Sequence, residues 1–309
     1  MTHPYASAAY AEVFRDMAQP LWVPAWGTHV LTRDLPGGGA IDAIGIYPLT
    51  VLGPGADLAA GLDWMKEQGL VSVCIVPDPA TAPHLSEMQK AFGLCAPFKA
   101  HLVVDYTRKV RPSKHHRYEV KRAKRAVSVE VVSLADHLGT WCDLYENLVE
   151  RHAIKGMGAF SRAAFERLLK VEGLTTVAAA IDGVIVSMHL WVADPASRSC
   201  YSLLAASSAE GYRHSASYAI YDASIGLFSD MNMLNLGGGA GIGSHDGGLI
   251  GFKKGFANGQ VQAYLCGAIL DMDRYAAASG GSVDHALPFP AYRFGERSAT
   301  SRNNSPTSQ

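Results

Sequence analysis

No stretch of this 309-residue chain approaches the ~20 consecutive apolar residues that a membrane-spanning helix needs. The opening residues, Met1-Thr-His-Pro-Tyr-Ala, lack a basic segment leading into an apolar one, so no secretory signal is expected. Cysteine is scarce and unpatterned: five residues, at 74, 95, 142, 200 and 266, with no Cys-x-x-Cys pair. That usage suits reduced cytoplasmic thiols. A metal site is not expected, because His115-His116 lies in a basic stretch without a nearby acid or thiol. Charge of neither sign is in excess, with 27 basic and 28 acidic residues. The phosphate-cradling order Gly-x-x-x-x-Gly-Lys-Ser/Thr is missing, and no Gly-x-Gly-x-x-Gly opens a helix after a first strand. No cofactor is therefore expected. No Ser-His-Asp or Cys-His arrangement is legible either.

What remains is a globular chain long enough for one elaborated domain or two. Its most informative stretch is residues 234–256, where a short apolar strand enters a glycine-dense turn and then a segment in which Phe252 and Phe256 bracket Lys253 and Lys254. Glycines let backbone approach a ligand closely. A basic pair held between aromatics suits a phosphate or a developing oxyanion.

Alternating strand, helix and strand patterns over the first ~105 residues predict a layered α/β unit. Strands are expected within 41–53, 71–76 and 100–105, and helices at 57–68 and 86–92. From Arg108 to Arg125 the composition changes to nine Lys or Arg and a single acid, Glu119. Pro112-Ser113 marks a helix start there. The helix is either a solvated connector or a landing strip for a polyanion such as RNA. Beyond it, strands are expected at 127–132, 175–181, 184–193, 199–205, 233–236 and 262–266. Helices are expected at 134–153, 161–170 and 218–229, and Asp182-Gly183 reads as a hairpin turn. The polar tail 295–309 is expected to be disordered.

The basic helix before a Val-rich strand, the Asp182-Gly183 hairpin, Glu210-Gly-Tyr-Arg-His-Ser-Ala-Ser-Tyr-Ala219 leading into a helix, and the ending Phe252-Lys253-x-x-Phe256 together resemble the Fem-type ligases. These are aminoacyl-tRNA-dependent transferases of the GNAT acyltransferase superfamily. The likeness covers roughly residues 108–270. It implies an α/β (α+β) fold of two GNAT-like domains with mixed sheets flanked by helices. The domains would be a diverged one over 1–107, a basic connecting helix at 108–126 and a catalytic one over 127–294. The implied activity is amide-forming aminoacyl transfer from aminoacyl-tRNA to an amine acceptor, in the cytoplasm. A small peptidyl antibiotic of the uridyl-peptide kind, or a nucleotide-linked cell-wall precursor, would fit as acceptor. Two alternatives stay open: an acyl-CoA-dependent N-acyltransferase and a non-catalytic RNA-binding module. The GNAT pyrophosphate turn would fall at Arg213-His-Ser-Ala-Ser-Tyr218, which lacks both of its glycines and so favours a donor other than CoA.

Lys253 matches the lysine of the family's Phe-Lys-x-x-Phe ending and is expected to face the donor carbonyl or the terminal phosphates. Lys254 should point elsewhere if the segment is extended. His245 and Asp246 are candidates for a proton relay. Tyr212, Arg213, Ser217, Tyr218, Phe252, Phe256, Gly238 and Gly239 are expected around the donor, with Arg213 the best phosphate ligand. Lys114, Arg117, Lys121, Arg122, Lys124 and Arg125 would contact tRNA. His189, on an apolar strand, reads as a core histidine before a base. Residues 288–293 form either a plain strap or a segment folded over a site.

Overall fold

The computed structural model describes residues 2–154, 156–239 and 247–293. The tail 295–309 therefore lies outside the described residues.

The first half runs α1 (Ala8–Glu12), β1 (Gln19–Val23), β2 (Thr28–Asp34), β3 (Ile41–Gly45), α2 (Leu58–Glu67), β4 (Leu70–Ile75), α3 (Leu85–Ala91) and β5 (Leu94–Asp105). There follow α4 (Lys114–Ala123), β6 (Ser128–Val132), α5 (Leu138–His152), α6 (Arg162–Leu168), β7 (Leu174–Ile181), β8 (Val184–Asp194) and β9 (Ser199–Ser207). The chain continues through α7 (Ala209–Arg213), α8 (Ala216–Leu227), β10 (Met233–Gly237), α9 (Gly247–Phe256), β11 (Gly259–Ile269) and α10 (Met272–Ala278).

Local chemistry accounts for most of these. Asp57 caps α2 by accepting from the Ala60 amide, and Leu58, Leu62 and Met65 turn inward at helical spacing. Every residue of β4 is buried, as expected of a strand covered on both faces. Asp182 and Gly183 both take positive φ, 48° and 82°, the signature of a tight turn whose twist matches the β7–β8 hairpin. Ser161 caps α6 through the Ala164 amide.

All eleven described strands join one mixed sheet in the order β1-β2-β3-β4-β11-β5-β10-β9-β8-β7-β6. The last strand, β11, lies between β4 and β5, antiparallel to both, and so completes the sheet of the first hundred residues. The amino-terminal residues lie the other way: Tyr5, Tyr10 and Phe14 pack in one core with Trp141, Tyr145, Phe165 and Tyr201. The two halves are thus interleaved.

One expectation about elements needs correction. The segment holding Lys253 is neither loop nor extended chain but the helix α9, because Phe252 and Phe256, one turn apart, both dock on α8. The first forty residues, which carried no reading, supply α1 and the β1–β2 hairpin. Residues 288–293 are a strap bound to the first half: Arg293 grips Asp42 with two hydrogen bonds, 2.6 and 2.9 Å, and Phe289 is fully buried.

Candidate functional site

Parallel strands β9 and β10 pair only over Ser199–Tyr201 and Met233–Asn235. Beyond Tyr201, β9 continues to Ser207 with β8 on one side and, among the described residues, no strand on the other. β10 meanwhile follows β5 and ends in a bulge at Asn235–Gly237. The result is a wedge that opens between β9 and β10, with no described strand along that edge of β9 beyond Tyr201.

The closed end of this wedge carries the candidate chemistry. Gly237, at φ 78°, turns the chain out of β10. Lys253, half-buried on α9, donates from Nζ to the Gly238 carbonyl at 2.8 Å. Lys99, half-buried on β5, donates to the Gly239 carbonyl at 3.1 Å. Desolvation lowers the Lys99 pKa. Gly238 also sits close to β5: a Cβ there would stand 3.3 Å from the Ala100 carbonyl oxygen. The glycines therefore provide clearance for β5 and Ile250 as well as acceptors for two ammonium groups. Lys254, one position on and so turned by a helix step of about 100°, is exposed.

Two buried histidines lie near Lys253, and one of them near Lys99 as well. His101, 7% exposed, pairs through Nδ1 with Asn235 Oδ1 at 3.2 Å. His189, 1% exposed, lies 3.2 Å through Nε2 from Ser217 Oγ, while its Nδ1 has no partner among the described residues. Burial first, with a smaller contribution from the Lys253 charge, lowers His101 to about 4 and His189 to about 3. Both rings are consequently neutral at pH 7 and available as proton or hydrogen-bond acceptors. His189 is a core residue, as its strand position implied, yet it borders the lysine.

The aromatic residues expected near the donor form one cluster. Tyr218 meets Phe252 edge-on at 4.8 Å, and Tyr221 meets Phe252 at 4.8 Å and Phe256 at 5.3 Å. His116 of α4 joins them, 4.8 Å from Phe256, and donates from Nε2 to the Phe252 carbonyl at 2.8 Å. Burial raises Tyr221 to about 12, so its hydroxyl stays protonated.

The remaining expected residues are dispersed. Tyr212 lies beside a separate hollow of about 380 Å³ with Asn147, Glu150 and Ser207, and the Arg151 guanidinium stacks 4.3 Å from its ring. Arg213 is paired with Glu210, which also meets His214 at 2.8 Å. Its charge is thus compensated at the surface. His245 and Asp246 lie outside the described residues.

Helix α4 is not uniformly outward. His116, Glu119, Val120 and Ala123 form its buried face against α8 and α9. Glu119 pairs with Arg122 at 3.1 Å and accepts from Ser215 at 3.4 Å, and Lys124 pairs with Asp222 at 2.6 Å. Arg117 donates to the Pro112 carbonyl. Lys114, Lys121 and Arg125 stay exposed without an ion pair among the described residues. The residues that reasoning from sequence missed are Lys99, His101 and Asn235, for none stands in a local motif.

Among the described residues there is no cluster of three or more His, Cys, Asp or Glu that could hold a metal, and no helix is long and apolar enough to cross a membrane. No family model matches the sequence, and no curated protein matches it. Solved structures do. The C-terminal domain described as that of a lysylphosphatidylglycerol synthetase from Agrobacterium fabrum aligns over 89% of this chain and 91% of its own, at 15% identity and a TM-score of 0.62. FemX aligns over 89% of this chain and 95% of its own, at 15% identity and a TM-score of 0.62. L-PGS from Bacillus licheniformis covers 87% of this chain and 94% of its own, at 12% identity and a TM-score of 0.57. At such identities the likeness establishes the fold: the chain has the architecture of FemX and L-PGS, as its Fem-type sequence features implied.

Proposed function

We propose that this protein is an amide-forming aminoacyltransferase of the cytoplasm, moving an amino acid from aminoacyl-tRNA to the amine of a small peptidyl or nucleotide-linked acceptor. The observation that carries the reading is the half-buried Lys253 ammonium at the closed end of the β9–β10 wedge, beside two neutral histidines. The fold shared with FemX supports it.

Attack of an amine on a ribose ester exchanges an ester for an amide and is downhill. It asks the protein to orient the amine, stabilise a tetrahedral oxyanion and return a proton to the leaving hydroxyl. Lys253 would face the donor carbonyl oxygen, where a preorganised cation in a water-poor slot is most effective. The aromatic group of Tyr218, Tyr221, Phe252 and Phe256 would form an apolar wall behind it. The exposed cations of α4 would meet the tRNA backbone, and α4 is tied directly to α9 by the His116–Phe252 hydrogen bond. The compensated state of Arg213 gives a pyrophosphate little to bind, which weighs against a CoA donor.

The test is a donor screen. Charged tRNAs, with a panel of amine acceptors, should release free tRNA in step with a new amide. Acceptor-dependent turnover with acyl-CoA alone would instead establish the N-acyltransferase reading. RNA binding without turnover of any ester would establish the binding-module reading.

A further inference from the structure

Asn235 fixes the tautomer of His101. Its Oδ1 accepts from the Gly237 amide at 2.8 Å, so the amide group cannot be turned over without losing that bond. The atom facing His101 Nδ1 is therefore an oxygen, and Nδ1 must carry the hydrogen. With Nδ1 protonated and the ring neutral, Nε2 holds a lone pair. It makes no hydrogen bond to the described residues. Asn235 and His101 come from positions 134 residues apart, and they meet beside the carbonyls that hold Lys99 and Lys253. An Asn and a His, 2% and 7% exposed, are an expensive pair to bury in a sheet, and the Asn235 Nδ2 group has no partner among the described residues. Packing alone does not explain them.

We propose that His101 Nε2 is the proton acceptor for the attacking amine, with Asn235 as the positioning residue that keeps Nε2 unprotonated; this rests on the transferase reading above. The amine nitrogen forms a bond to the ester carbonyl carbon, and the oxyanion develops toward Lys253. Nε2 takes one proton from that nitrogen. When the carbon–oxygen bond to the ribose breaks, the same proton passes to the departing oxygen, leaving His101 neutral again. The groups facing the ring are Asn235 on β10, Lys99 on its own strand and Lys253 on α9. An anionic donor seated against both lysines would screen their charges and remove their share of the lowering, which is smaller than that of burial.

The test combines kinetics with histidine NMR on the intact protein. In 15N-labelled protein, His101 should show a protonated Nδ1 and an unprotonated Nε2 at pH 7, and Asn235→Ala should scramble that signature. A protonated Nε2 would overturn the proposal. With the aminoacyl-tRNA and amine pair found by the donor screen, His101→Gln should lower kcat 10²- to 10³-fold. KM should stay within threefold, and the acidic limb of the wild-type pH profile should be lost. His101→Gln turning over within twofold of wild type overturns the role of His101 and leaves the transferase reading intact. A wild-type protein that turns over no ester donor overturns both. Amide spectra of His101→Gln that match wild type away from β5 and β10 exclude misfolding as the cause of a loss.

Discussion

The ring of His116 stands where a Cβ on Gly255 would have to be. Around that contact the Ser113 amide donates to the Gly255 carbonyl at 2.8 Å, and His116 Nε2 donates to the Phe252 carbonyl at 2.8 Å. Ser113 Oγ lies 2.9 Å from Nδ1, so the neutral ring has a partner on both nitrogens. One missing methyl group thus lets the basic helix lie against the helix that carries Lys253.

Gly255→Ala should therefore destabilise the protein by about 1–3 kcal/mol through overpacking. In an ordinary helix interior the same change stabilises by roughly 0.5–1 kcal/mol. Urea melts read the sign, and His116→Ala should recover part of the loss in the double variant. A stabilised Gly255→Ala would show that α4 and α9 are not held this way.

Lys253→Met keeps the aliphatic stem but removes the cation. Turnover of the ester donor should fall about 10²- to 10³-fold, the size of losing one oxyanion partner. The melting temperature should move little, since a half-buried lysine bound to a carbonyl contributes modestly to folding.

The six basic residues of the α4 region should separate by salt dependence. Replacing Lys114, Lys121 and Arg125 together with Ala should reduce the slope of log K against log salt for RNA by about 2. Lys124→Ala should change it less, because that charge is already paired with Asp222. Equal effects from both sets would indicate a diffuse field and no defined face.

Acid should unfold the protein through buried histidines. His3, His101 and His189 sit at about 4, about 4 and about 3 when folded, against 6.5 when unfolded. A lowered folded pKa means stability that is fully present above 6.5 and lost as pH falls toward the folded value. Each ring should cost on the order of 1.4 kcal/mol per pH unit between pH 6 and 4. Denaturant midpoints at pH 7, 6 and 5 should fall progressively; a constant midpoint would show these rings to be solvated.

Arg293→Met leaves the carboxylate of Asp42, 1% exposed, with the Tyr292 hydroxyl at 3.1 Å and Arg33 at 3.6 Å. Stranding a buried charge costs about 3–5 kcal/mol. The retained Arg33 contact should hold the loss near 3 kcal/mol. Hydrogen exchange should show the strap residues losing protection first.

Where pattern is local, the sequence was informative. The β7–β8 hairpin follows from Asp182-Gly183 and its alternating flanks, and α2, α4 and α6 follow from Asp57, Ser113 and Ser161 as caps. Helix α9 was illegible because Gly247, Gly248, Gly251 and Gly255 make a poor helix former; docking of Phe252 and Phe256 outweighs that propensity. Lys253 could be chosen from its flanking aromatics, but Lys99, His101 and Asn235 become neighbours only when β5 and β10 pair. The inward turn of Glu119 likewise depends on Ser215, far along the chain.

The position of β11 between β4 and β5 also governs assembly in time. On a ribosome, residues 70–105 emerge long before residues 259–269, so β4 and β5 must wait with exposed edges until those residues are made. The nascent chain therefore reaches its native sheet only once residues 259–269 are made, and a product that stops short of residue 259 should be aggregation-prone, with its first hundred residues unfinished.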